Sequence, residues 1–270
     1  MDTYIFEELL KRFQKDNNNP EEFWDMRAES FENSHKSDKI ENSEEITRRL
    51  FYRGLLKNKY VLDIGGGTGR YAIPFAEYAK KITVADVSLK MLEYARKNAE
   101  SNGLNNLEYI QINWNDVDLL ELGWKKKYDL VFSSMCEGTR SKEGLLKMSA
   151  ASKGWCQVNQ LIEMQDSLSQ KLIKDLSMEI IHDVHNNREI PQALFNILWL
   201  EGYSPEIGYI KDFEQQYFTV DNAFKKYSPH FNKICQKKNI DLKNLLEQYA
   251  DKNRIHVERH TTLSVILWKT

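Results

Sequence analysis

The clearest chemistry in the chain sits in VLDIGGGTGR, positions 61–70, where the apolar Val61, Leu62 and Ile64 run into Gly65, Gly66, Gly67, Thr68 and Gly69. Glycine has no Cβ, so such a loop turns sharply and lets a ligand approach main-chain amides at a helix N-terminus. The spacing is G-x-G-x-G, with Arg70 standing where the G-x-G-x-x-G of a dinucleotide loop has its last glycine. Two carboxylates accompany the loop: Asp63 just ahead of it, and Asp86 in TVADVS, 23 positions later. An acid at the end of a second strand accepts hydrogen bonds from the ribose hydroxyls of a nucleoside, in NAD and in S-adenosylmethionine alike. Asp63 separates the two, because a carboxylate ahead of the glycines repels a pyrophosphate but attracts the ammonium and sulfonium of S-adenosylmethionine.

The elements that must hold this loop are legible from periodicity. From Lys59 onward short apolar runs alternate with amphipathic stretches, the pattern of βαβ units feeding a parallel sheet. Strands are expected at 60–64, 81–85, 107–112, 129–133, 157–164 and near 206–211, and in the closing HVERHTTLSVILWK, where Leu263, Val265 and Leu267 alternate. Helices are expected over RYAIPFAEYAK and over SLKMLEYARKNAESNG, the second with Ser88 as N-cap and Gly103 as C-cap. Ahead of the first strand lie helical segments at 4–15, through Phe23, Trp24 and Phe31, and at 43–56. The aromatic density there predicts a packed helical cap over residues 1–57 rather than a solvated tail. Residues 58–270 are expected to form one ligand-binding domain, interrupted at about 165–189 by a helical insertion that the βαβ rhythm does not need. Helical segments at 221–238 and 241–251 precede the last strand.

Acidic and basic side chains nearly balance, 40 Asp plus Glu against 38 Lys plus Arg, so the formal net charge of -2 provides no excess of positive charge for nucleic acid. The start of the chain lacks a cationic run followed by an apolar stretch and a cleavage site, and no apolar run approaches the ~20 residues that span a bilayer. A cytoplasmic protein without a membrane partner is expected. Cys136, Cys156 and Cys235 are too few and too irregularly spaced for a disulfide framework or a CxxC metal site.

VLDIGGGTGR resembles motif I of the class I S-adenosylmethionine-dependent methyltransferases, and ITVADVSLKMLEYARKNA is similar to that family's second strand and following helix. YIQINWNDVDL resembles the third-strand segment, with Asn113 and Trp114 where the family usually has Asp and a small or aromatic residue. YDLVFSSMCEG is similar to motif IV, and LFNILWLEGYSPEIGYI to the helix-glycine-aromatic passage into the sixth strand. These segments stand in the family's order over about 58–164 and 190–268. The resemblance implies an α/β fold: a Rossmann-like seven-stranded sheet, mainly parallel with an antiparallel last strand, and helices on both faces. It implies S-adenosyl-L-methionine as cofactor, S-adenosyl-L-homocysteine as product, and a site formed by Asp63, Gly65, Gly66, Gly67, Thr68, Gly69, Asp86, Val87, Met91, Asn113, Trp114 and Ser133.

Methyl transfer from a sulfonium is an in-line displacement, so an enzyme mainly positions the acceptor, excludes water and removes a proton where needed. If the resemblance holds, the loop after the fourth strand lies beside the reactive methyl, and Glu137 is its one strong candidate base. The loop lacks the D/N/S-P-P-aromatic sequence of enzymes that methylate base and glutamine nitrogens, which favours a small-molecule acceptor. His182 and His185 lie three apart in the insertion, so one helical face offers two imidazoles to an acceptor or its proton; no metal site is expected. His256 and His260 fall in a strand, ~13 Å apart, too far to share an ion. Two other readings stay open: an NAD-dependent oxidoreductase, disfavoured by Asp63 and the missing glycine, and a non-catalytic module that only binds S-adenosylmethionine.

Overall fold

The structure is a computed structural model that describes residues 2–14, 19–37, 43–178 and 186–270. Its strands are β1 (Tyr60–Ile64), β2 (Lys81–Asp86), β3 (Leu107–Gln111), β4 (Tyr128–Ser134), β5 (Ser152–Asp166), β6 (Glu206–Thr219) and β7 (Arg254–Lys269), in one sheet ordered β3-β2-β1-β4-β5-β7-β6. The helices are α1 (Tyr4–Lys11), α2 (Pro20–Asp25), α3 (Ala28–Ser37), α4 (Ser43–Tyr52), α5 (Ala72–Ala76), α6 (Leu89–Ser101), α7 (Lys142–Ala151), α8 (Ser167–Asp175), α9 (Glu189–Leu200), α10 (Val220–Lys237) and α11 (Leu242–Glu247). No described helix is long and apolar enough to cross a membrane.

Strands β3, β2, β1, β4 and β5 pair in parallel, which explains why the central ones read as continuous apolar runs: Val61, Leu62, Ile64, Ile82, Val84, Leu130, Val131 and Phe132 are buried on both faces of the sheet. Contacts fix the sense of the last two. Ser264 Oγ donates to Gln160 O and Thr270 N to Gly154 O, so β7 climbs as β5 descends. Phe213 faces His260 and Tyr217 faces His256 in the same reversed relation between β6 and β7. The sheet is therefore seven-stranded and mostly parallel, with the last strand, β7, antiparallel to both of its neighbours, as expected, and not the all-parallel six-stranded sheet of a dinucleotide fold.

The chain divides into two compact units, one comprising Met1–Gln160, Arg188–Ile210 and Leu263–Thr270, the other Leu161–Asn187 and Lys211–Thr262. The second unit has its own core, in which Leu168 and Leu172 of α8, Tyr227 and Phe231 of α10, Leu242 and Leu246 of α11, and Ile255 and Val257 of β7 pack together. In the first unit α6 buries Leu92, Ala95 and Ala99 along one face; Ser88 Oγ accepts from Met91 N at 3.1 Å as its N-cap, and Gly103 takes φ 68° beyond its end.

Several features depart from the periodicity, among them β6, expected near 206–211 and running on to Thr219. Helix α7 has no counterpart among the expected elements, because KEGLLKMSAA mixes Gly144 and Ser149 into the buried positions of Leu145 and Met148 and so lacks a clean apolar stripe. Gly144 is required there, since a Cβ would fall 2.2 Å from Gly138 O. Strand β5 starts at Ser152 rather than 157, because SKG reads as a loop; its pairing with β4 shifts between Tyr128 and Leu130, where a Cβ on Gly154 would lie 2.5 Å from Asp129 O.

Candidate functional site

Strand β1 occupies the middle of the parallel sheet and delivers the glycine loop to its carboxyl edge. Gly65, Gly67 and Gly69 all have left-handed backbones, with φ of 66°, 55° and 89°. The loop is pinned from β2, since Gly65 N and Gly66 N donate to Ala85 O at 2.8 and 3.2 Å. Close approach matters as much as dihedral freedom: a Cβ on Gly65 would lie 2.7 Å from Cys136 Cβ, and one on Gly66 2.6 Å from Val84 Cγ1 and 3.0 Å from Asp63 Oδ2. Asp63 is thus buried directly against the loop. A Cβ on Gly67, by contrast, would meet nothing within 4 Å, so the loop presents an open side there.

Asp86 closes β2 beneath that opening. Its Oδ2 accepts from Gly67 N and its Oδ1 from Ser88 N, each at 2.9 Å. Burial pushes its carboxyl above the ordinary value, the amides of Ser88, Gly67 and Val87 pull it partly back, and the charge of Asp25 adds to the rise. A raised acid binds its proton more readily folded than unfolded, so ionised Asp86 subtracts from stability at neutral pH, a loss that lifts as pH falls through the folded value. Ligand hydroxyls that donate to the carboxylate have the opposite preference. Affinity for a nucleoside is therefore expected to fall on acidification, starting above the pH at which an ordinary aspartate protonates; titrations across acidic pH check this, and a flat profile would detach the ligand from Asp86.

The N-terminal helices reach the same place. Asp25 Oδ1, at the end of α2, accepts from Ser88 Oγ at 2.6 Å and Lys90 N at 3.2 Å, while buried Glu32 of α3 accepts from Asn98 Nδ2 at 2.9 Å. Asn98 Nδ2 also donates to Thr68 O at 3.0 Å, which ties α3, α6 and the glycine loop together. Asp25→Ala is expected to cost about 1 kcal/mol, the range of one hydrogen-bonded helix cap. Limited proteolysis should then cut faster within the first 37 residues; an unchanged pattern would show that Asp25 does not hold α2.

The loop after β4 completes the site. Met135 has φ 60°, and Glu137 opens a 3-10 turn (Glu137–Thr139). Glu137 is half-buried, and its carboxylate takes no hydrogen bond from the described residues. Ser133 is wholly buried, with Oγ 3.1 Å from both Ile64 O and Thr139 Oγ1, so it joins β1 to this turn. Burial, with the charge of Asp86, pushes the Cys136 thiol up to about 11, which leaves it a neutral packing group against Gly65.

The remaining expected site residues are distributed around this centre. Val87 is half-buried beside Asp86 and Met91 is buried in the first turn of α6. Asn113 donates to Asp116 Oδ2 at 2.7 Å, and buried Trp114 donates from Nε1 to Gly144 O at 3.3 Å while its Cβ lies under Gly138. His182 and His185 lie outside the described residues. Asp25, Glu32 and Asn98 were not anticipated, since polar residues on helix faces carry no signal of their contacts; buried Gln157, Asn159 and Gln160 did leave one, a polar run in a central strand. A cavity of about 130 Å³ lies elsewhere, under α4, with Ile46, Leu50, Gln157, Ile207, Val265 and Leu267 in its wall.

Residues 61–151 match a family described as a methyltransferase domain. The chain is similar to a 23S rRNA (uracil(1939)-C(5))-methyltransferase of Aeromonas salmonicida, 28% identical over 91 residues, which cover 33% of this chain and 20% of that protein. It is also similar to phosphoethanolamine N-methyltransferase 1 of Caenorhabditis elegans, 25% identical over 177 residues, 61% of this chain and 34% of that one. The chain thus spans only about a fifth to a third of the length of these relatives. Among solved structures, precorrin-6y C5,15-methyltransferase from Geobacter metallireducens shares the fold, with a TM-score of 0.52 and 12% identity over 86% of this chain and 90% of that one. Residues 61–151 thus match a methyltransferase domain, and the seven-stranded sheet that carries their glycine loop at its carboxyl edge has a Rossmann-like methyltransferase fold.

Proposed function

We propose that the chain transfers a methyl group from S-adenosylmethionine to a small-molecule acceptor. The observation that supports this most is the buried Asp86 carboxylate bonded to Gly67 N at 2.9 Å, under a loop whose open side is Gly67. In this reading Asp86 accepts from the ribose hydroxyls, and the 65–69 loop with Asp63 holds the charged methionine end. S-adenosylmethionine supplies a methyl group on a sulfonium, which an acceptor lone pair takes while sulfur keeps the bonding electrons. The chain's own work is then to orient the acceptor over the 134–138 loop, to keep water away, and to remove a proton when the acceptor carries one. Glu137 is the carboxylate of that loop and the residue assigned to the proton.

RNA is the second reading, favoured by the likeness to an rRNA methyltransferase and opposed by the formal net charge of -2. Methyl-labelled cofactor, offered with either a small-molecule extract or total RNA, distinguishes them. Label in the small-molecule fraction is the expected outcome; label in RNA alone would replace this reading with the second.

A further inference from the structure

Two carboxamides midway along β5, level with the end of β4, have donors without a hydrogen-bond partner among the described residues. Asn159 is fully buried; its Oδ1 accepts from Gln157 Nε2 at 3.0 Å, and its Nδ2 has no hydrogen-bond partner among the described residues. Gln160 is 1% exposed; its Oε1 accepts from Arg140 Nε at 3.1 Å, and its Nε2 likewise has no partner among them. A guanidinium only donates, so Arg140 dictates which end of the Gln160 amide faces it, and the NH2 end points away.

Their place in the fold is specific. Asn159 pairs in register with Ser134, the last residue of β4, and so marks the point where the loop bearing Glu137 leaves the sheet. That loop is braced on the same segment: Met135 N donates to Asn159 O at 3.1 Å, and Arg140 Nη2 donates to Met135 O at 3.1 Å. The bonds hold Met135 in its left-handed conformation, which a side-chain-bearing residue adopts only at a cost. Buried donors without partners are rare in folded proteins, and at the edge of a site they point to a ligand that supplies the missing acceptor. Arg140, itself buried, adds positive charge to this edge.

We propose that Asn159 is an acceptor-binding residue, and that the methyl acceptor carries a carboxylate whose oxygen takes the Asn159 amide hydrogen. This rests on the methyl-transfer reading and narrows the acceptor to carboxylate-bearing small molecules. The test compares the wild type with the double variant Gln157→Leu, Asn159→Leu, which removes both members of the amide pair. Each is unfolded thermally with S-adenosylhomocysteine present, with and without sodium benzoate as the probe. Benzoate should raise the wild-type midpoint and leave the variant's unchanged. Without benzoate the variant should melt higher than the wild type by about 2–4 °C, because an unmet buried donor has been removed. A lower-melting variant, or an equal response to benzoate in both proteins, overturns the proposal by showing that a buried water or the protein satisfies Nδ2.

Should the variant not fold, the wild type crystallised with S-adenosylhomocysteine and benzoate decides. A carboxylate oxygen within hydrogen-bond distance of Asn159 Nδ2 supports the assignment, and a water alone there refutes it. Calorimetry with S-adenosylhomocysteine keeps the two levels apart. Failure to bind the wild type removes the methyltransferase reading itself, whereas intact binding with no benzoate effect removes only the role of Asn159.

Discussion

Gly65→Ala should abolish measurable binding of S-adenosylhomocysteine, whereas Gly67→Ala, two residues away, should weaken it only several-fold. Both positions are left-handed, at φ 66° and 55°, so both substitutions carry the backbone penalty of about 1–2 kcal/mol for an L-residue in that region. They differ in space. A Cβ on Gly65 would lie 2.7 Å from Cys136 Cβ and 2.8 Å from its Sγ, whereas one on Gly67 would meet nothing within 4 Å. Cys136 precedes the turn that begins at Glu137, so relieving the Gly65 clash displaces the loop after β4 together with the glycine loop. Overpacking of this kind adds about 1–3 kcal/mol to the backbone penalty. Calorimetry on the two variants, with circular dichroism to show that each folds, checks the ordering; equal losses would mean that the 65–136 contact does not shape the site.

Asp86→Ala is the other large effect expected. Hydrogen bonds to a charged group are worth about 1.5–3 kcal/mol, so affinity for S-adenosylhomocysteine should fall roughly 10- to 150-fold. The variant also deprives Gly67 N and Ser88 N of their acceptor, so part of the loss reflects a looser loop. Asp86→Asn separates the contributions, because an amide keeps one acceptor oxygen for the loop while losing the charge. Intermediate affinity for Asp86→Asn is the result expected, and affinity unchanged in both variants would remove Asp86 from the ligand.

How much of this was legible in the sequence follows from where the determining contacts lie. The glycine loop and Asp86 were readable because their place at the end of β1 and β2 is set by neighbours along the chain: an apolar strand before, a helix after, an acid at the end of the next strand. The antiparallel β7 was readable in kind and nearly in length, from 256 against Arg254, whereas β6 was expected only over 206–211 and runs to Thr219, its added part belonging to a second unit whose packing no local pattern announces. Helix α7 was hidden because Gly144 answers to Gly138 O, a contact across a turn, and not to helix propensity. The linkages of Asp25 to Ser88 and Asn98 to Glu32 span 63 and 66 positions, beyond the reach of any motif. The inserted segment was expected to bring His182 and His185 to an acceptor; both lie outside the described residues and stay a proposal.

The central claim is that the loop over Asp86 holds the nucleoside of S-adenosylmethionine. Its most direct test is isothermal titration of the full chain with S-adenosylhomocysteine and, in parallel, with NAD. Saturable one-to-one binding of S-adenosylhomocysteine, with no heat above dilution for NAD, is the predicted result, whereas binding of NAD without binding of S-adenosylhomocysteine would contradict the account.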